Sequence, residues 1–247
     1  MKYDVIILNA GQSKRLRPLL KGYPKALYPI YNNISLLKFH LLVLEKYIDK
    51  IDNVLLVVGY KKELFEEFVS QLKLEIKQKI RLVINDKYAE TDNAYSVYLA
   101  LAVAKKVNCK IILDGDILFH PALFEKLLST HCENALIAEF DEPITEEDSK
   151  VLVSNNFAHG IGKEVRGNAI YTSMIKLCGS FSQQFLDEIS NTKWWTTWYS
   201  APLNKLLRQN PTTVCVLPTA GYKRMDIDVP EEFDIGRKFI QEIIKYL

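Results

Sequence analysis

A short segment near the N-terminus combines small residues with positive charge. The loop at residues 8–18 contains Ala10, Gly11 and Arg15, and Lys25 follows in a Pro-Lys-Ala-Leu segment. Small residues let the backbone approach an anionic ligand closely, and the two cations add fixed positive charge. The pattern favours a polyphosphate site, although it lacks the further glycines of a dinucleotide fingerprint and the Gly-Lys-Ser/Thr ending of a P-loop. A loop glycine beside cations without any ligand is the alternative.

Two acid pairs stand elsewhere in the chain, Asp114 with Asp116 and Asp226 with Asp228. Carboxylates one residue apart point in similar directions from an extended segment, and magnesium usually takes one or two carboxylates together with phosphate oxygens. An acid pair at the end of a buried strand is costly without a cation or another partner. We therefore favour a metal site near the first pair over a simple capped turn.

Residues 85–96 form a polar stretch that leads into a helix. Its amides and hydroxyls can contact the edge of a base. Alternatively, Asn93 caps the helix and Ser96 belongs to its first turn.

The elements that position these residues follow from hydrophobic periodicity. Apolar runs alternate with amphipathic segments, which predicts a mostly parallel sheet with right-handed crossovers and ligands at the carboxyl ends of its strands. The predicted strands cover residues 5–8, 54–58, 80–84, 110–113, 135–138 and 172–177, with helices over 36–47, 64–72, 97–103 and 123–128 and a last helix after Pro230. From residue 135 the alternation breaks down, so we interpret residues 135–210 as an insertion, with a hairpin near residues 150–160, in a single domain of residues 1–247.

Residues 194–199 form an aromatic cluster. If the cluster opens a helix, Trp195 and Tyr199 join the core stripe, and Trp194 and Trp198 stand to one side. A tryptophan in that position can stack over a cationic group or cover an interface. For Trp194 both readings stay open, and for Trp198 we favour the pocket.

The motifs resemble a known family. The run L-x-A-G-x-x-x-R-L-x-P followed by P-K-A-L resembles the signature of nucleoside-triphosphate transferases, and N-D-K-Y followed by N-x-Y-S is similar to phosphocholine cytidylyltransferases. The resemblance implies a three-layer α/β sandwich with a mostly parallel, Rossmann-like sheet, that is, a GT-A-like nucleotidyltransferase fold with a small inserted acceptor-binding region. Ser13 and Lys14 depart from the loop pattern, and Ser200 stands where related enzymes often carry an acid.

The resemblance also implies roles for individual residues. Arg15 and Lys25 would contact the triphosphate and the acceptor phosphate as catalytic residues, and Asp116 and Asp228 would hold Mg²⁺. We assign three residues to acceptor binding: Trp195, Trp198 and Tyr199. Nine residues are expected to surround the nucleotide: Leu8, Asn9, Ala10, Gly11, Asn85, Tyr88, Asn93, Ser96 and Asp114.

The expected function is transfer of CMP from CTP to a small phosphorylated or phosphonate amino-alcohol, such as phosphocholine or 2-aminoethylphosphonate, with release of pyrophosphate. One alternative is a nucleotidyltransferase for sugar or polyol phosphates that uses UTP, dTTP or CTP. Others are a GT-A glycosyltransferase and a non-catalytic nucleotide sensor. Lys163, Glu164 and Arg166 receive no role, and the acids at residues 146–148 are interpreted as a solvated loop.

Composition narrows the classes of partner. The 247 residues carry a net charge of +2 with both signs spread along the chain, which gives no electrostatic reason to expect nucleic acid or an anionic membrane. Cys109, Cys132, Cys178 and Cys215 lie far apart, so we expect buried thiols in a reducing cytoplasm. The chain lacks an apolar run of membrane-spanning length, and a monomer or homodimer is expected.

Overall fold

The computed structural model describes residues 1–247 apart from the side chain of residue 17. A nine-stranded sheet forms its centre, in the spatial order β3-β2-β1-β4-β9-β6-β10-β8-β7. Seven strands point the same way, and β8 and β9 run opposite to them. The strands are β1 (Tyr3–Asn9), β2 (Ile51–Val58), β3 (Ile80–Ile84), β4 (Cys109–Asp114), β6 (Asn134–Glu139), β7 (Lys150–Ser154), β8 (Phe157–Gly162), β9 (Ala169–Leu177) and β10 (Val214–Pro218). The strands β3, β2, β1 and β4 pair in parallel as predicted, whereas the antiparallel pairings of β8 and β9 make the other half of the sheet mixed.

Helices cover both faces of the sheet, because successive strand residues point to opposite sides. Val5 and Ile7 belong to one apolar cluster, and Ile6 between them belongs to the other. The first cluster packs α2, α6 and α9, whereas the second packs α5, α7 and α8. The helices are α1 (Arg17–Leu20), α2 (Leu36–Glu45), α3 (Lys62–Ser70), α4 (Leu74–Lys77), α5 (Asn93–Val103), α6 (Pro121–Ser129), α7 (Gly179–Ile189), α8 (Ser200–Gln209) and α9 (Glu231–Ile243). The predicted three-layer architecture is therefore confirmed.

A separate two-stranded ribbon lies beside the carboxyl end of β4. Its strands, β5 (Ile117–Phe119) and β11 (Arg224–Asp226), pair antiparallel with Ile117 opposite Asp226. The ribbon brings residues far apart in sequence to one edge of the sheet. Its position matters for the site because each strand is flanked by acids.

Residues 135–210 are woven into the central sheet. The strands β6 and β9 pair with each other, and β9 also pairs with β4. The strands β7 and β8 form the expected hairpin, and α8 packs on β8. The acceptor-binding region we predicted is thus continuous with the sheet that carries the loop at residues 8–18.

The four cysteines form two disulfides, so the expectation of free buried thiols is wrong. Cys109 at the start of β4 pairs with Cys178 just after β9, and Cys132 pairs with Cys215 on β10. The partners are 69 and 83 residues apart in sequence and become neighbours only when the sheet forms. Both bridges join elements at the edge opposite the carboxyl ends of the parallel strands.

No described helix combines the length and apolar character that crossing a membrane requires.

Reduction of the disulfides should lower the free energy of unfolding by about 2–4 kcal/mol for each bridge, because both close long loops in the unfolded chain. Urea unfolding with and without a phosphine reductant measures the change. Retention of stability after complete reduction, with four titratable thiols, would contradict this expectation.

Candidate active site

The loop after β1 opens onto a cavity of about 440 Å³. A Cβ built on Gly11 would meet nothing within 4 Å, so the backbone there faces open space. Ser13 has a φ of 47°, and its carbonyl accepts a hydrogen bond from the Leu16 amide at 3.0 Å, which closes the loop into a short 3-10 turn. The loop backbone and the exposed Arg15 side chain line this cavity. A phosphate chain can therefore approach the loop without displacing a side chain.

Lys25 lies at the centre of the site. Its Nζ donates to Asp116 Oδ2 at 3.2 Å, to Asp228 Oδ1 at 2.9 Å and to the Ile227 carbonyl at 2.6 Å. Burial alone would lower the pKa of Lys25, but the two carboxylates outweigh it and raise the pKa, so the ammonium stays charged. The three residues that we singled out for phosphate and metal contacts thus converge.

The ribbon explains why the two acids meet. The Ile227 amide donates to the Asp116 carbonyl at 3.0 Å, which continues the β5–β11 pairing past Asp226. Gly115 is required before Asp116, because a Cβ there would lie 2.2 Å from the Leu8 carbonyl oxygen. The glycine between Asp114 and Asp116 therefore lets the backbone of this segment pack directly against β1.

His40 supports the same ribbon from inside the core. It is fully buried, and its Nε2 lies 2.8 Å from the Ile117 carbonyl oxygen. Burial lowers the pKa of His40 to about 4 from 6.5, against the raising effects of that hydrogen bond and of Asp116. The ring is therefore neutral in the folded protein at neutral pH.

This histidine makes stability fall in mild acid. Because its pKa is lower in the folded protein than in the unfolded chain, its contribution is complete above pH 6.5 and is lost as the pH falls toward 4. We expect the free energy of unfolding to lose about 2 kcal/mol between pH 7 and pH 5 from this group. The variant His40→Gln has a side-chain N–H donor that does not titrate. It should therefore remove the contribution of His40 to the pH dependence of the free energy of unfolding, as measured by urea unfolding. An unchanged pH dependence in the variant would contradict the assignment.

Two further acids line the inner wall of the site. The pKa of Asp114 is raised well above its usual value by burial and by nearby Asp116, although the Ser173 hydroxyl donates a hydrogen bond to it. Burial also raises the pKa of Asp226, against its ion pair with Arg224. Both carboxyl groups therefore bind protons more readily than Asp228 does.

Asp228 behaves in the opposite way. Burial would raise its pKa, but Lys25 and then Arg15, whose Nη2 is 3.2 Å from Asp228 Oδ2, outweigh that effect and lower it. Asp228 is thus an ionised carboxylate that two cations share. Arg15 is mostly exposed and can turn toward a ligand.

The site can supply oxygen ligands for a divalent ion. Asp116 and Asp228 are each more than a third exposed and face the same space, and the buried Asp114 Oδ1 has no hydrogen-bond partner among the described residues. Within the described part of the chain, no cluster of three or more histidine, cysteine or acidic side chains has the arrangement of a complete metal cage. Two carboxylates completed by phosphate oxygens fit the usual coordination of magnesium.

The polar loop after β3 borders a second cavity, of about 220 Å³, that shares Gly11 and Asp116 with the first. Asn85 is buried and its Nδ2 donates to Ser96 Oγ at 3.0 Å, while its Oδ1 accepts from the Lys87 amide at 2.9 Å. These bonds hold the loop in shape. Of the nine residues predicted to surround the nucleotide, Asn9 lines the first cavity. The other eight line this second cavity: Leu8, Ala10, Gly11, Asn85, Tyr88, Asn93, Ser96 and Asp114.

Asn93 connects the polar loop to the aromatic segment. Asp92, not Asn93, is the N-cap of α5, so the capping alternative for Asn93 is wrong. The Asn93 Oδ1 instead accepts a hydrogen bond from the Tyr199 amide at 2.8 Å. The amide of Asp92 donates to the Trp195 carbonyl at 2.8 Å, which ties the two segments together again.

A third cavity, of about 290 Å³, lies between these two segments and the carboxylates of Asp116 and Asp228. Trp198 and Tyr199 line it, and Asp116 lines all three cavities. Tyr199 is buried, and its hydroxyl lies 2.9 Å from the hydroxyl of Tyr171. Six acids but only three basic residues line this cavity: Asp114, Asp116, Glu147, Asp148, Asp226 and Asp228, against Arg15, Lys163 and Arg224. With Asp114 and Asp226 left out because their pKa values are raised, four acids still face three basic residues, and this small excess of negative charge favours a ligand that brings positive charge.

Trp195 lies away from this cavity, contrary to the prediction that it joins the acceptor pocket and the α8 stripe. The helix α8 begins only at Ser200, after a 3-10 turn at Thr192–Trp194. The Trp195 ring instead contacts Tyr95 and Tyr98, with ring centroids 4.5 and 5.5 Å apart. Of the three residues predicted to bind the acceptor, Trp198 and Tyr199 line the third cavity and Trp195 does not.

Several residues of the third cavity were missed or set aside in the sequence. Ser173 adopts a φ of 61° beside an irregularity in the pairing of β6 with β9, which has no signal in an apolar strand pattern. Glu147 and Asp148 line the cavity although the acidic run was interpreted as a solvated loop. Asp226 carried a usable signal, because it alternates with Asp228 on one strand face.

Comparison with known proteins places the chain among other sequences. A family model described as "Domain of unknown function (DUF6564)" matches residues 24–161, which is more than half of the chain. Choline-phosphate cytidylyltransferase of Streptococcus pneumoniae is 37% identical over 111 residues, and the match covers 45% of this chain and 43% of that protein. The chain therefore matches less than half the length of this relative. CTP:phosphoglutamine cytidylyltransferase of Campylobacter jejuni is 25% identical over 205 residues, covering 75% of this chain and 76% of that protein.

Solved structures extend the likeness over nearly the whole chain. The inositol-1-phosphate CTP transferase of T. maritima has a TM-score of 0.77 at 23% identity and covers 98% of both chains. The CTP:phosphocholine cytidylyltransferase of Streptococcus pneumoniae has a TM-score of 0.76 at 21% identity, covering 97% of this chain and 100% of that one. The likeness to these structures confirms the GT-A-like fold. The sequence relatives named above are cytidylyltransferases, which confirms the resemblance drawn from the motifs.

Proposed function

The chain belongs to the DUF6564 domain family, and we propose that it is a CTP-dependent nucleotidyltransferase that transfers CMP to a small phosphorylated or phosphonate acceptor. One observation carries the proposal: the Lys25 ammonium bridges Asp116 and Asp228 where the three cavities meet. A cation and two carboxylates beside an open glycine loop suit two phosphate groups that must react with each other. Similarity to cytidylyltransferases for choline phosphate and phosphoglutamine supports the choice of CTP.

In the proposed reaction, an oxygen of the acceptor phosphate or phosphonate attacks the α-phosphorus of CTP. The bond between that phosphorus and the oxygen bridging to the β-phosphate breaks, and its electron pair leaves with pyrophosphate. Lys25 contacts the reacting phosphates from the centre of the site, and the exposed Arg15 side chain contacts the β- and γ-phosphates. The protein forms no covalent intermediate, because its contribution is positioning and charge stabilisation.

Asp116 and Asp228 would hold Mg²⁺, with Asp114 close by. The ion, when bound, supplies neutralisation of phosphate charge. In the second cavity, Asn85 and Ser96 would shape the loop around the base of CTP, and the open backbone at Gly11 would face its phosphates.

For the acceptor we propose an amino-alcohol phosphate or its phosphonate counterpart. The third cavity carries excess negative charge, and the exposed face of Trp198 can attract a compact cation. Lys163 already places its Nζ 4.7 Å from the centroid of the Trp198 ring, so this ring accepts an ammonium group in the structure itself. Phosphocholine, phosphoethanolamine and 2-aminoethylphosphonate combine such a cation with the required anion.

A pyrophosphate-release assay with CTP and magnesium tests the proposal against a panel of acceptors. The panel contains phosphocholine, phosphoethanolamine, 2-aminoethylphosphonate, inositol phosphate and hexose 1-phosphates. We expect turnover with CTP, and the highest kcat/KM with one of the cationic acceptors. A hexose phosphate as best acceptor, with kcat/KM unchanged in Trp198→Ala, would contradict the cationic pocket. CTP binding without turnover of any acceptor would favour a nucleotide sensor instead.

The nucleotide is tested in the same assay with UTP and dTTP. Cytosine presents an amino donor where uracil presents a carbonyl acceptor, so a site that pairs with one rejects the other. A preference for UTP or dTTP would overturn the assignment of CTP and leave the fold unaffected.

A further inference from the structure

A fourth cavity, of about 680 Å³, adjoins the third cavity at Trp198. It is bordered by α8, by residues 161–165 at the end of β8 and by the 3-10 turn at Thr192–Trp194. Lys163, Trp198 and Ser200 line both this cavity and the third one. The fourth cavity therefore has a shared wall with the proposed acceptor site but contains none of its acids.

The lining of the fourth cavity combines apolar surface with positive charge. Val165, Trp194 and Ala201 contribute apolar and aromatic surface. Glu164 is the one acid of the lining. Four cations stand around the apolar residues: Lys163, Lys193, Lys205 and Arg208. This balance is opposite in sign to that of the third cavity, so the two spaces suit different chemical groups.

The cations differ in how far they are already neutralised. Lys205 Nζ lies 2.6 Å from Glu188 Oε2, and Glu188 also accepts a hydrogen bond from Trp194 Nε1 at 2.8 Å. Lys193 stands over the Trp194 ring, 4.6 Å from its centroid. The exposed Arg208 side chain makes no hydrogen bond or salt bridge within the part of the chain that the structure describes. A guanidinium beside an apolar cavity is thus available to a ligand.

One polar side chain of the lining, Asn204, is already held by the protein. Asn204 Oδ1 accepts from the Ile161 amide at 3.2 Å, and a Cβ on Gly160 would lie 3.0 Å from the same oxygen. Asn204 therefore holds α8 against β8 rather than facing a ligand. The remaining features are two indoles, apolar side chains and a free cation, in a volume typical of small-molecule sites.

We propose that this cavity binds an organic anion, with the apolar or aromatic part of the ligand against Trp194 and Ala201 and its carboxylate, phosphate or sulfonate beside Arg208. Arginine pairs with such planar or tetrahedral anions through several hydrogen bonds at once. The binding itself does not depend on the reaction proposed for the neighbouring site.

A consequence for catalysis rests on the proposed function. Because Lys163 and Trp198 wall both spaces, an occupant of the fourth cavity acts on acceptor binding and leaves CTP binding unaffected. The anion has two possible sources, a distal part of the acceptor itself or a separate small molecule. These share the same chemistry and differ in their kinetics.

Two fluorescent probes with the same aromatic body test the binding. Anilinonaphthalene sulfonate carries the anion, and N-phenylnaphthylamine lacks the sulfonate. In titrations of the folded protein we expect one saturable site for the sulfonate, with at least about tenfold tighter binding than for the neutral probe. Equal affinity for the two probes, or no saturable site, would overturn the proposal.

Three variants locate the site. Arg208→Glu should weaken the sulfonate about tenfold and leave the neutral probe nearly unchanged, whereas Ala201→Trp should fill the cavity and abolish binding of both. Arg166→Glu is the matched control, because Arg166 is exposed and lies outside the lining. Circular dichroism confirms that each variant is folded. If Arg208→Glu and Arg166→Glu bind the sulfonate equally, the site is not at Arg208.

Kinetics with the sulfonate distinguish the two sources. A raised KM for the best acceptor of the panel, with kcat unchanged, supports a distal part of the acceptor as the natural occupant. A lowered kcat at saturating acceptor supports a separate molecule. In both cases the KM for CTP should stay the same, and a change confined to the KM for CTP would overturn the coupling. Absence of turnover with every acceptor would contradict the proposed function, and the binding result would still stand or fall on the titrations.

Discussion

Replacement of Lys25 by alanine should lower kcat about 10²–10³-fold, because loss of one preorganised charge contact to a reacting group typically costs about 2.7–4 kcal/mol. Lys25 is mostly buried and makes three polar contacts at the centre of the site, so no other described cation can take its position. The variant also leaves Asp116 and Asp228 without their shared ammonium. Pyrophosphate release under single-turnover conditions measures the effect on the chemical step.

The matched control for this variant is Lys238→Ala. Lys238 is an exposed residue of α9, outside the cavities of the site, and its replacement should leave kcat unchanged. A Lys25→Ala enzyme that turns over as fast as Lys238→Ala would contradict the role of Lys25. Thermal unfolding of both variants separates a loss of chemistry from a loss of folding.

Conversion of Asp116 or Asp228 to asparagine should have the second large effect. Each change keeps the shape of the side chain but removes a negative charge that pairs with Lys25 and that we propose to hold a metal ion. We expect kcat to fall by at least about 10²-fold, and the Mg²⁺ concentration for half-maximal activity to rise by at least about tenfold. Magnesium titrations at saturating CTP measure both quantities.

Asp187→Asn serves as the control for the acid variants, because Asp187 is exposed on α7 and far in sequence from the ribbon. Its magnesium dependence should match that of the unaltered protein. The metal assignment fails if Asp116→Asn and Asp228→Asn also keep that dependence. If both variants lose activity but keep the Mg²⁺ concentration for half-maximal activity, the two acids act only by positioning Lys25.

The closeness of Asp116 to the loop at residues 8–18 was predictable because the two segments follow β4 and β1, which are parallel neighbours in the sheet. Parallel strands bring their carboxyl ends together whatever the length of chain between them. The contact from Lys25 to the Ile227 carbonyl was not predictable, since it depends on the register of β5 against β11. Short strands of three residues carry too weak a pattern to fix that register.

The misplaced Trp195 has a specific physical cause. The spacing of Trp195, Tyr199 and Leu203 fits a helical stripe, so periodicity alone extends α8 backwards. In the structure the carbonyls of residues 195 and 197 accept hydrogen bonds from the amides at the start of α5. Those long-range bonds hold the segment outside a regular helix, and no local propensity reports them.

The disulfides show the same limit. Cysteine spacing along the chain contains no pairing information when partners are 69 and 83 residues apart. Cys109 and Cys178 become neighbours only because β4 and β9 pair antiparallel in the sheet. The two disulfides remove the argument from cysteine usage for a cytoplasmic location, which stays a prediction.

The fate of the phosphorus atoms of CTP tests the central claim most directly. The protein is incubated with magnesium, the best acceptor of the panel and CTP labelled either at the α- or at the γ-phosphorus. We expect the α-label in a product that also contains the acceptor, and the γ-label only in pyrophosphate. Transfer of the γ-label to the acceptor, or release of free CMP without a joined product, would contradict nucleotidyl transfer by this site.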